Sequence, residues 1–311
     1  MVKKLIYIFY KIVSNFYLII IRNKQIFPGL YLLKKPHIIN RIVFYLNDKS
    51  FFHLGDQLFF AQTIIALKNN NFPIEVLAPD NLKLFWRANG IKINSLGSKL
   101  DKKSDLVITY PPVYIKHKLH SYNSLIVDFT NSKINSRITD YFSEKLSHII
   151  FSKPLQRPKI KFDLNINKKI KNQIINIGEN IWVFNNQIDS GFFRKSFKKN
   201  QKLYNKMMYL FNKGEKIIFV GKSSNNNIYE KYFSLDLRGK TTPDEIFSLL
   251  SLNCVKGVIS YDNFLMHACL LLNKKAHIVF RGRYSRKKEL HHYNNVNTAF
   301  SYPSRKNIWY I

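Results

Sequence analysis

Three short polar segments of the sequence carry side chains that could bind or transform a phosphate-bearing ligand. The first is His-Leu-Gly-Asp at residues 53–56, directly before a run of apolar residues. Gly55 allows a tight turn, and the positive end of a helix that begins here would keep Asp56 ionised. An ionised carboxylate in this position can accept a proton from a substrate hydroxyl. The competing interpretation is that Asp56 only caps the helix, which contributes about 1 kcal/mol.

The second segment is a basic loop between a predicted strand and a predicted helix. It contains Arg194, Lys195 and Ser196, followed by Lys198 and Lys199. Clustered guanidinium and ammonium groups can neutralise the charge that develops on a departing pyrophosphate. The alternative is a solvated basic loop on a protein that is basic throughout.

The third segment is a polar corner, Asp262-Asn263, between a predicted strand and an apolar helix that carries His267 on its first turn. In open α/β sheets, backbone N–H groups at such a corner bind phosphates. Asp262 can accept hydrogen bonds from sugar hydroxyls, and His267 can donate one to a phosphate. A single His on an apolar helix is also commonly a packed core residue, so that alternative stays open.

Predicted strands and helices alternate along the chain around these three segments. Apolar runs of strand type lie at residues 42–46, 74–78, 106–109, 125–128, 181–184, 216–220, 255–260 and 276–280. Helices are predicted at residues 57–69 and 201–212, and a further one after Thr242, where Pro243 and Glu245 complete a capping box. This order predicts βαβ units and parallel sheets, in two similar α/β halves with a cleft between them.

The two halves are separated at residues 151–172, where the composition and the hydrophobic periodicity of the sequence change. This stretch contains two prolines and seven basic residues and shows little periodicity. We therefore predict an N-terminal segment at residues 1–40, domains at 41–160 and 161–290, and a basic, aromatic tail at 291–311.

The composition restricts the class of protein. An apolar fraction of 46% excludes a largely disordered chain. Fifty Lys and Arg against 19 Asp and Glu give a net charge of +31, which favours nucleic acid, an anionic membrane face or a phosphorylated glycolipid as partner. Compositional drift is the alternative, because Lys, Asn and Ile are over-used together. The two cysteines form no Cys-x-x-Cys pattern and indicate a reducing cytoplasm, and the spacing of the histidines predicts no metal site.

The N-terminal 22 residues predict an amphipathic helix. Residues 5–21 are strongly apolar, but Lys11, Ser14 and Asn15 interrupt them, and the absence of a small-residue cleavage site disfavours a secretory signal. On a helix, one narrow polar stripe is formed by Lys4, Lys11, Asn15 and Arg22. The pattern is typical of a helix in the membrane interface that meets anionic lipid. A helix docked on the protein core and a single membrane span are the alternatives.

The ordered set of motifs resembles glycosyltransferase family 9, the lipopolysaccharide heptosyltransferases. Leu54-Gly55-Asp56 is similar to the Leu-Gly-Asp before the family's first helix. Residues 236–242, Asp-Leu-Arg-Gly-Lys-Thr-Thr, are similar to its Asp-Leu-x-Gly-Lys-Thr segment, and residues 259–268 resemble its Ser-x-Asp-Ser-Gly-x-x-His-x-Ala helix start. Residues 194–197 are similar to its Lys-x-Trp segment. The resemblance extends over residues 42–283.

This resemblance implies a GT-B fold, which consists of two Rossmann-like α/β domains with parallel sheets that face across a cleft. It implies a donor held by residues 161–290, an acceptor held by residues 41–160, and inverting transfer without a metal ion or other cofactor. Asp56 matches the general base, and His53 is expected at the acceptor. The donor-binding residues implied are Arg194, Lys195, Lys240, Thr241, Asp262, Asn263 and His267.

We therefore expect a cytoplasmic bacterial enzyme, peripheral on the inner face of the cytoplasmic membrane. It would transfer a sugar from an ADP-heptose-like donor to a lipopolysaccharide, a lipooligosaccharide or another surface glycan. The family's Ser-Gly is replaced by Asn263-Phe264, and Phe adds bulk where a Gly backbone would approach a diphosphate. A catalytically inactive scaffold protein of the same fold is therefore one alternative function. A nucleic-acid-binding protein is the other alternative, although the sequence carries no recognisable reading motif.

Overall fold

The computed structural model describes most of the chain, in two compact units. It covers residues 2–48, 54–94, 99–128, 138–151, 155–156, 158–162, 168–187, 197–222, 229–261, 263–272, 274–279 and 308–310. The described residues up to 160 form the first unit, and those from 161 onward form the second. The division falls within residues 151–172, where the character of the sequence changes.

The first unit is built around a sheet of seven strands. Its helices are α1 (Val2–Ile20), α2 (Leu54–Asn69), α3 (Lys83–Ala88), α4 (Pro111–Lys116) and α5 (Ile138–Phe151). Its strands are β1 (Gln25–Phe27), β2 (Leu30–Lys34), β3 (Arg41–Tyr45), β4 (Ile74–Leu77), β5 (Ile93–Asn94), β6 (Asp105–Thr109) and β7 (Asn123–Val127). They lie in the order β1-β2-β7-β6-β3-β4-β5. The five strands from β7 to β5 pair in parallel; four of them were predicted, and β5 was not. Every residue of β6 and β7 is buried.

The parallel pairing gives way to antiparallel pairing at one edge of this sheet. β1 pairs antiparallel with β2, and β2 pairs antiparallel with β7. Only Pro28 and Gly29 separate β1 from β2, which is too short a connection for a parallel crossover. Gly29 has a φ of 74°, a left-handed conformation that glycine adopts readily. Residues 1–40 thus contribute one helix and two strands to the first unit.

Helix α2 begins earlier than the sequence predicts. It starts at Leu54 instead of residue 57, so Asp56 lies within the first turn and not at the capping position before it. From Gln57 to Leu67 every residue is buried, which agrees with the apolar character of this helix on all sides. Asp56 remains at the positive end of the helix dipole.

The second unit is built around a six-stranded sheet whose neighbouring strands are all parallel. Its helices are α6 (Lys168–Ile177), α7 (Phe197–Asn212), α8 (Pro243–Ser251) and α9 (Phe264–Leu271). Its strands are β8 (Ile181–Asn185), β9 (Lys216–Phe219), β10 (Leu235–Asp236), β11 (Val255–Tyr261), β12 (Lys275–Val279) and β13 (Ile308–Tyr310). They lie in the order β10-β9-β8-β11-β12-β13.

Close packing around β11 fixes the centre of this sheet. A Cβ atom added to Gly257 would lie 1.9 Å from the carbonyl oxygen of Lys275 in β12, so only glycine fits there. On one face Trp182 and Phe184 pack with Leu203 and Met207 of α7 in a buried cluster. Three elements of this unit were not predicted: α6 lies partly within residues 151–172, β10 lies in the segment that resembles the family motif, and β13 lies in the predicted tail.

The predicted capping box of α8 is confirmed. The backbone N–H of Glu245 donates to the Thr242 hydroxyl at 3.2 Å, and the backbone N–H of Thr242 donates to the Glu245 carboxylate at 2.8 Å. Among the helices that the structure describes, none combines the length and the apolar character that crossing a membrane requires.

Candidate functional site

The carboxyl ends of four adjacent parallel strands, β10, β9, β8 and β11, form one edge of the second sheet. Asn185 ends β8, and Asn263 follows β11 at the start of α9. The Asn263 amide nitrogen donates to the side-chain oxygen of Asn185 at 3.1 Å and to the backbone oxygen of Gln187 at 3.3 Å. Its side-chain oxygen accepts the backbone N–H of Leu265 at 3.0 Å and so caps α9. The predicted donor-binding residue Asn263 therefore sets the geometry of this helix start.

A second set of amide contacts joins β8 to β9 at the same edge. Asn185 donates to the backbone oxygen of Val220 at 2.8 Å, and the side-chain amide of Gln187 exchanges two hydrogen bonds of 2.6 Å with the backbone of Lys222. Gly221 has a φ of 131°, and a Cβ atom there would lie 2.6 Å from the Asn185 amide nitrogen. None of Asn185, Gln187 and Gly221 was predicted as a site residue, although polar residues directly after a buried strand are a usable signal.

The segment at residues 236–242 lies beside this edge. The backbone N–H of Gly239 donates to the backbone oxygen of Gly221 at 2.6 Å. The exposed Lys240 donates through Nζ to the backbone oxygen of Asp236 at 2.9 Å, and the Thr241 hydroxyl lies 3.4 Å from the Leu237 oxygen. The structure thus places Lys240 and Thr241 at the carboxyl end of β10, along the same edge as Asn263.

Arg238 stabilises the segment at residues 236–242 through contacts with Asp236 and Phe219. Its guanidinium contacts both carboxylate oxygens of Asp236 at 3.0 and 2.5 Å and lies 4.3 Å from the centre of the Phe219 ring. Burial raises the pKa of Asp236, but the hydrogen bonds from Arg238 outweigh it and lower that pKa below its ordinary value. Arg238 and Asp236 therefore hold the turn at Gly239 and Lys240 in place.

His267 lies on the first turn of α9 and is buried, with 8% of its surface exposed. Its neighbours along the helix, Leu265, Met266 and Ala268, are buried as well. His267 thus lies among buried apolar neighbours, and its role as a phosphate ligand stays a prediction.

The bulky residue that replaces the family's glycine packs within the helical layer. The ring of Phe264 meets the ring of Phe247 in α8 edge to face, with 5.5 Å between their centres. Phe247 in turn stacks on Phe162 at 5.3 Å. The Phe264 ring thus occupies a position against α8.

Several predicted site residues lie outside the described part of the chain. These are His53, Arg194, Lys195 and Asp262, together with the side chain of Asp56. Of Asp56, the structure describes only the backbone, at the start of α2.

The first unit carries a charged cluster at the carboxyl end of β3 that the sequence analysis did not identify. The buried carboxylate of Asp48 contacts Nζ of Lys116 and Nε2 of His117, both at 2.8 Å. The Tyr45 hydroxyl lies 3.3 Å from Nδ1 of His117, and Thr109 of the adjacent strand donates to the Tyr45 backbone oxygen at 2.9 Å. Burial, then the Asp48 carboxylate, raises the pKa of Tyr45. This cluster lies at the sheet edge from which the chain leads to α2.

No protein-family model matches this chain, and no curated protein sequence matches it. Solved structures do. A glycosyltransferase of family 9 from Veillonella parvula matches with a TM-score of 0.60 at 12% identity, over 89% of this chain and 88% of that one. ADP-heptose LPS heptosyltransferase II of E. coli matches with a TM-score of 0.53 at 12% identity, over 88% and 90%. E. coli heptosyltransferase WaaC with ADP matches with a TM-score of 0.54 at 11% identity, over 87% and 92%.

These likenesses define the class of fold. The protein is an α/β protein with the GT-B type of fold, in which each unit is Rossmann-like, and the first sheet is mixed while the second is parallel. The fold resemblance to glycosyltransferase family 9 that the sequence motifs indicated is thereby confirmed.

Proposed function

We propose that this protein is a glycosyltransferase that takes a sugar from a nucleotide-sugar donor. One observation carries the proposal: polar groups line the carboxyl edge of a parallel sheet, in a fold shared with heptosyltransferases over nearly their whole length. In open α/β sheets this edge is where nucleotides bind. The matched WaaC structure contains ADP, which supports an ADP-linked donor, with ADP-heptose as the first candidate.

The proposed donor site combines N–H groups and cations. The start of α9 at Asn263 offers backbone N–H groups and a positive dipole end to the diphosphate. Lys240 supplies an exposed ammonium group at the same edge, Thr241 a hydroxyl, and His267 a further donor to the phosphates. Arg194 and Lys195 would add positive charge, and Asp262 would accept hydrogen bonds from the sugar hydroxyls. Cations of the protein would then stabilise the leaving group without a metal ion.

The proposed transfer is a single displacement. The oxygen of an acceptor hydroxyl attacks the anomeric carbon while Asp56 takes its proton. The bond between that carbon and the diphosphate oxygen breaks, and the nucleoside diphosphate leaves with the electron pair. Attack from the face opposite the leaving group inverts the configuration. The position of Asp56 in the first turn of α2 favours its ionised form.

The proposed acceptor is an anionic glycolipid of the lipopolysaccharide or lipooligosaccharide type, with His53 near it. A net charge of +31 attracts such an acceptor and the membrane that carries it. We therefore place the enzyme on the inner face of the bacterial cytoplasmic membrane. A nucleic-acid-binding protein is not favoured, because the fold is that of glycosyltransferases.

A thermal-shift screen of nucleotides and nucleotide sugars tests the proposal. A ligand that binds only the native state raises the melting temperature, so ADP and its sugar derivatives are expected to raise it. Asp56→Asn should keep this shift and lose transfer, and a chelator should leave transfer unchanged. A protein whose melting temperature responds to no nucleotide or nucleotide sugar would exclude this function, and one that binds donor without any transfer would be an inactive scaffold.

A further inference from the structure

Among its described side chains, those of one face of the N-terminal helix α1 pack on the first unit. The ring of Tyr17 stacks on that of Tyr114 in α4, with 5.6 Å between their centres. Ser14 is buried with 3% of its surface exposed, and Ile21, just after the helix, joins a buried cluster with Tyr31 and other residues of the first sheet. Docking on the protein core, one alternative for this segment, therefore accounts for the face that carries Ser14 and Tyr17.

The opposite face of α1 is apolar and exposed to solvent. The exposed fractions are 43% for Ile6, 60% for Phe9, 50% for Ile12, 64% for Phe16, 69% for Ile19 and 75% for Ile20. At 100° per residue these positions span about 140° of the helix surface, which is one continuous stripe. Among the described residues, six of the ten exposed large apolar side chains lie on this one helix. A continuous apolar stripe of this size that is exposed to solvent indicates an interaction site.

Polar and basic residues border this stripe. Helical periodicity places the row formed by Lys4, Lys11, Asn15 and Arg22 along one side of it. Asn15 and Arg22 are exposed, as is Lys24 just beyond the end of the helix. An apolar face with a cationic border fits the boundary between the headgroups and acyl chains of an anionic bilayer.

Charge decides between the possible occupants of the stripe. A second copy of this chain also carries a net charge of +31, so pairing two such surfaces brings like charges together. An anionic lipid surface instead attracts the protein before the apolar side chains insert.

We propose that the stripe Ile6, Phe9, Ile12, Phe16, Ile19 and Ile20 inserts into the interface of an anionic phospholipid bilayer, with the opposite face of α1 fixed to the first unit. The helix then joins membrane and protein rigidly, and the first unit is held at the lipid surface. Membrane insertion of the stripe does not depend on the proposed transferase function; only the identity of the lipid-linked acceptor rests on that function.

Sedimentation with vesicles tests the proposal with a matched pair of variants. Phe16→Gln with Ile19→Gln removes two side chains of the stripe, exposed by 64% and 69%. Ile175→Gln with Ile38→Gln removes two side chains elsewhere, exposed by 60% and 71%. The vesicles contain phosphatidylcholine with about one third phosphatidylglycerol, an anionic lipid surface that attracts basic proteins.

We expect the α1 variant to bind these vesicles at least 10-fold more weakly than wild type, and the control variant to bind as wild type does. Salt at about 0.5 M screens the general charge attraction, so wild type should retain residual binding there and the α1 variant none. Equal binding of both variants at both salt concentrations overturns the proposal. So does a wild-type dimer in sedimentation equilibrium that becomes monomeric only in the α1 variant, because the stripe then covers a second copy.

The result is separable from the proposed transferase activity. The α1 variant should show the same melting shift with nucleotide ligands as wild type. If wild type and both variants bind no nucleotide while vesicle binding follows the expected pattern, the transferase function is excluded and the membrane-binding role of α1 is retained.

Discussion

The carboxylate of Asp48 and the imidazole of His117 meet at 2.8 Å, although 69 residues separate them in the chain. Asp48 follows β3, and His117 follows α4, which the adjacent strand β6 leads into. In the tautomer with the proton on Nε2, that N–H donates a hydrogen bond to Asp48, and Nδ1 can accept one from the Tyr45 hydroxyl. The contact therefore fixes the His117 ring at the carboxyl edge of the first sheet.

Asp48→Asn should destabilise the protein measurably. The substitution removes a buried negative charge that neutralises Lys116 and contacts His117. Because hydrogen bonds to charged groups contribute about 1.5–3 kcal/mol each, we expect the free energy of unfolding in urea to fall by about 2–3 kcal/mol. Glu144→Gln is the control, since Glu144 pairs with Lys145 at the surface and should matter by less than about 0.5 kcal/mol. Equal losses in the two variants would show that the Asp48 cluster contributes no more than a surface pair.

Gly257→Ala should disrupt the centre of the second sheet. The added Cβ would lie 1.9 Å from a backbone oxygen of the neighbouring strand, which no side-chain rotation relieves. We expect a loss of at least about 3 kcal/mol in urea unfolding, the upper end for overpacking, or failure to fold. Gly90→Ala is the comparison: it has open space but a φ of 72°, so strain of about 1–2 kcal/mol is its only penalty. A Gly257 variant as stable as the Gly90 variant would mean that β11 and β12 separate more easily than the contact implies.

His277 should make the protein less stable in mild acid. Burial, then Lys206 and Lys275, lowers the pKa of this residue from 6.5 to about 3. The folded state therefore binds fewer protons than the unfolded state between these two values, and stability falls as the pH drops below about 6.5. In His277→Gln the loss of urea stability between pH 7.5 and pH 5 should be smaller than in wild type. An identical loss would show that His277 takes up its proton in the folded state.

Much of the α/β framework follows from the sequence. Strands such as β6 and β8 are continuous apolar runs because both faces are buried, and this pattern is visible without a structure. The capping box at Thr242 is equally local. The hairpin of β1 and β2 was missed, because a three-residue strand and a two-residue turn leave little pattern to detect.

The polar contacts at the two sheet edges could not be predicted in the same way. Asn185, Gln187 and Asn263 meet only because β8 and β11 are neighbours, and Asp48 meets His117 only because β3 lies beside β6. Strand order in a sheet is a long-range property that the residues of one segment do not encode. The family motifs named Lys240, Thr241 and Asn263, which the structure brings to one edge, but they did not name the amide groups between them.

Titration of ADP by isothermal calorimetry tests whether the carboxyl edge of the second sheet binds a nucleotide, with Lys240→Gln and Lys216→Gln as a matched pair. Both lysines are exposed, but Lys240 follows β10 at the carboxyl edge of the second sheet, whereas Lys216 begins β9 at the opposite edge. We expect saturable binding of ADP by wild type. The affinity should fall by about 10-fold in Lys240→Gln, which is about 1.4 kcal/mol, and stay unchanged in Lys216→Gln. Absence of saturable ADP binding by wild type, or equal affinity in all three proteins, would contradict a nucleotide site at this edge.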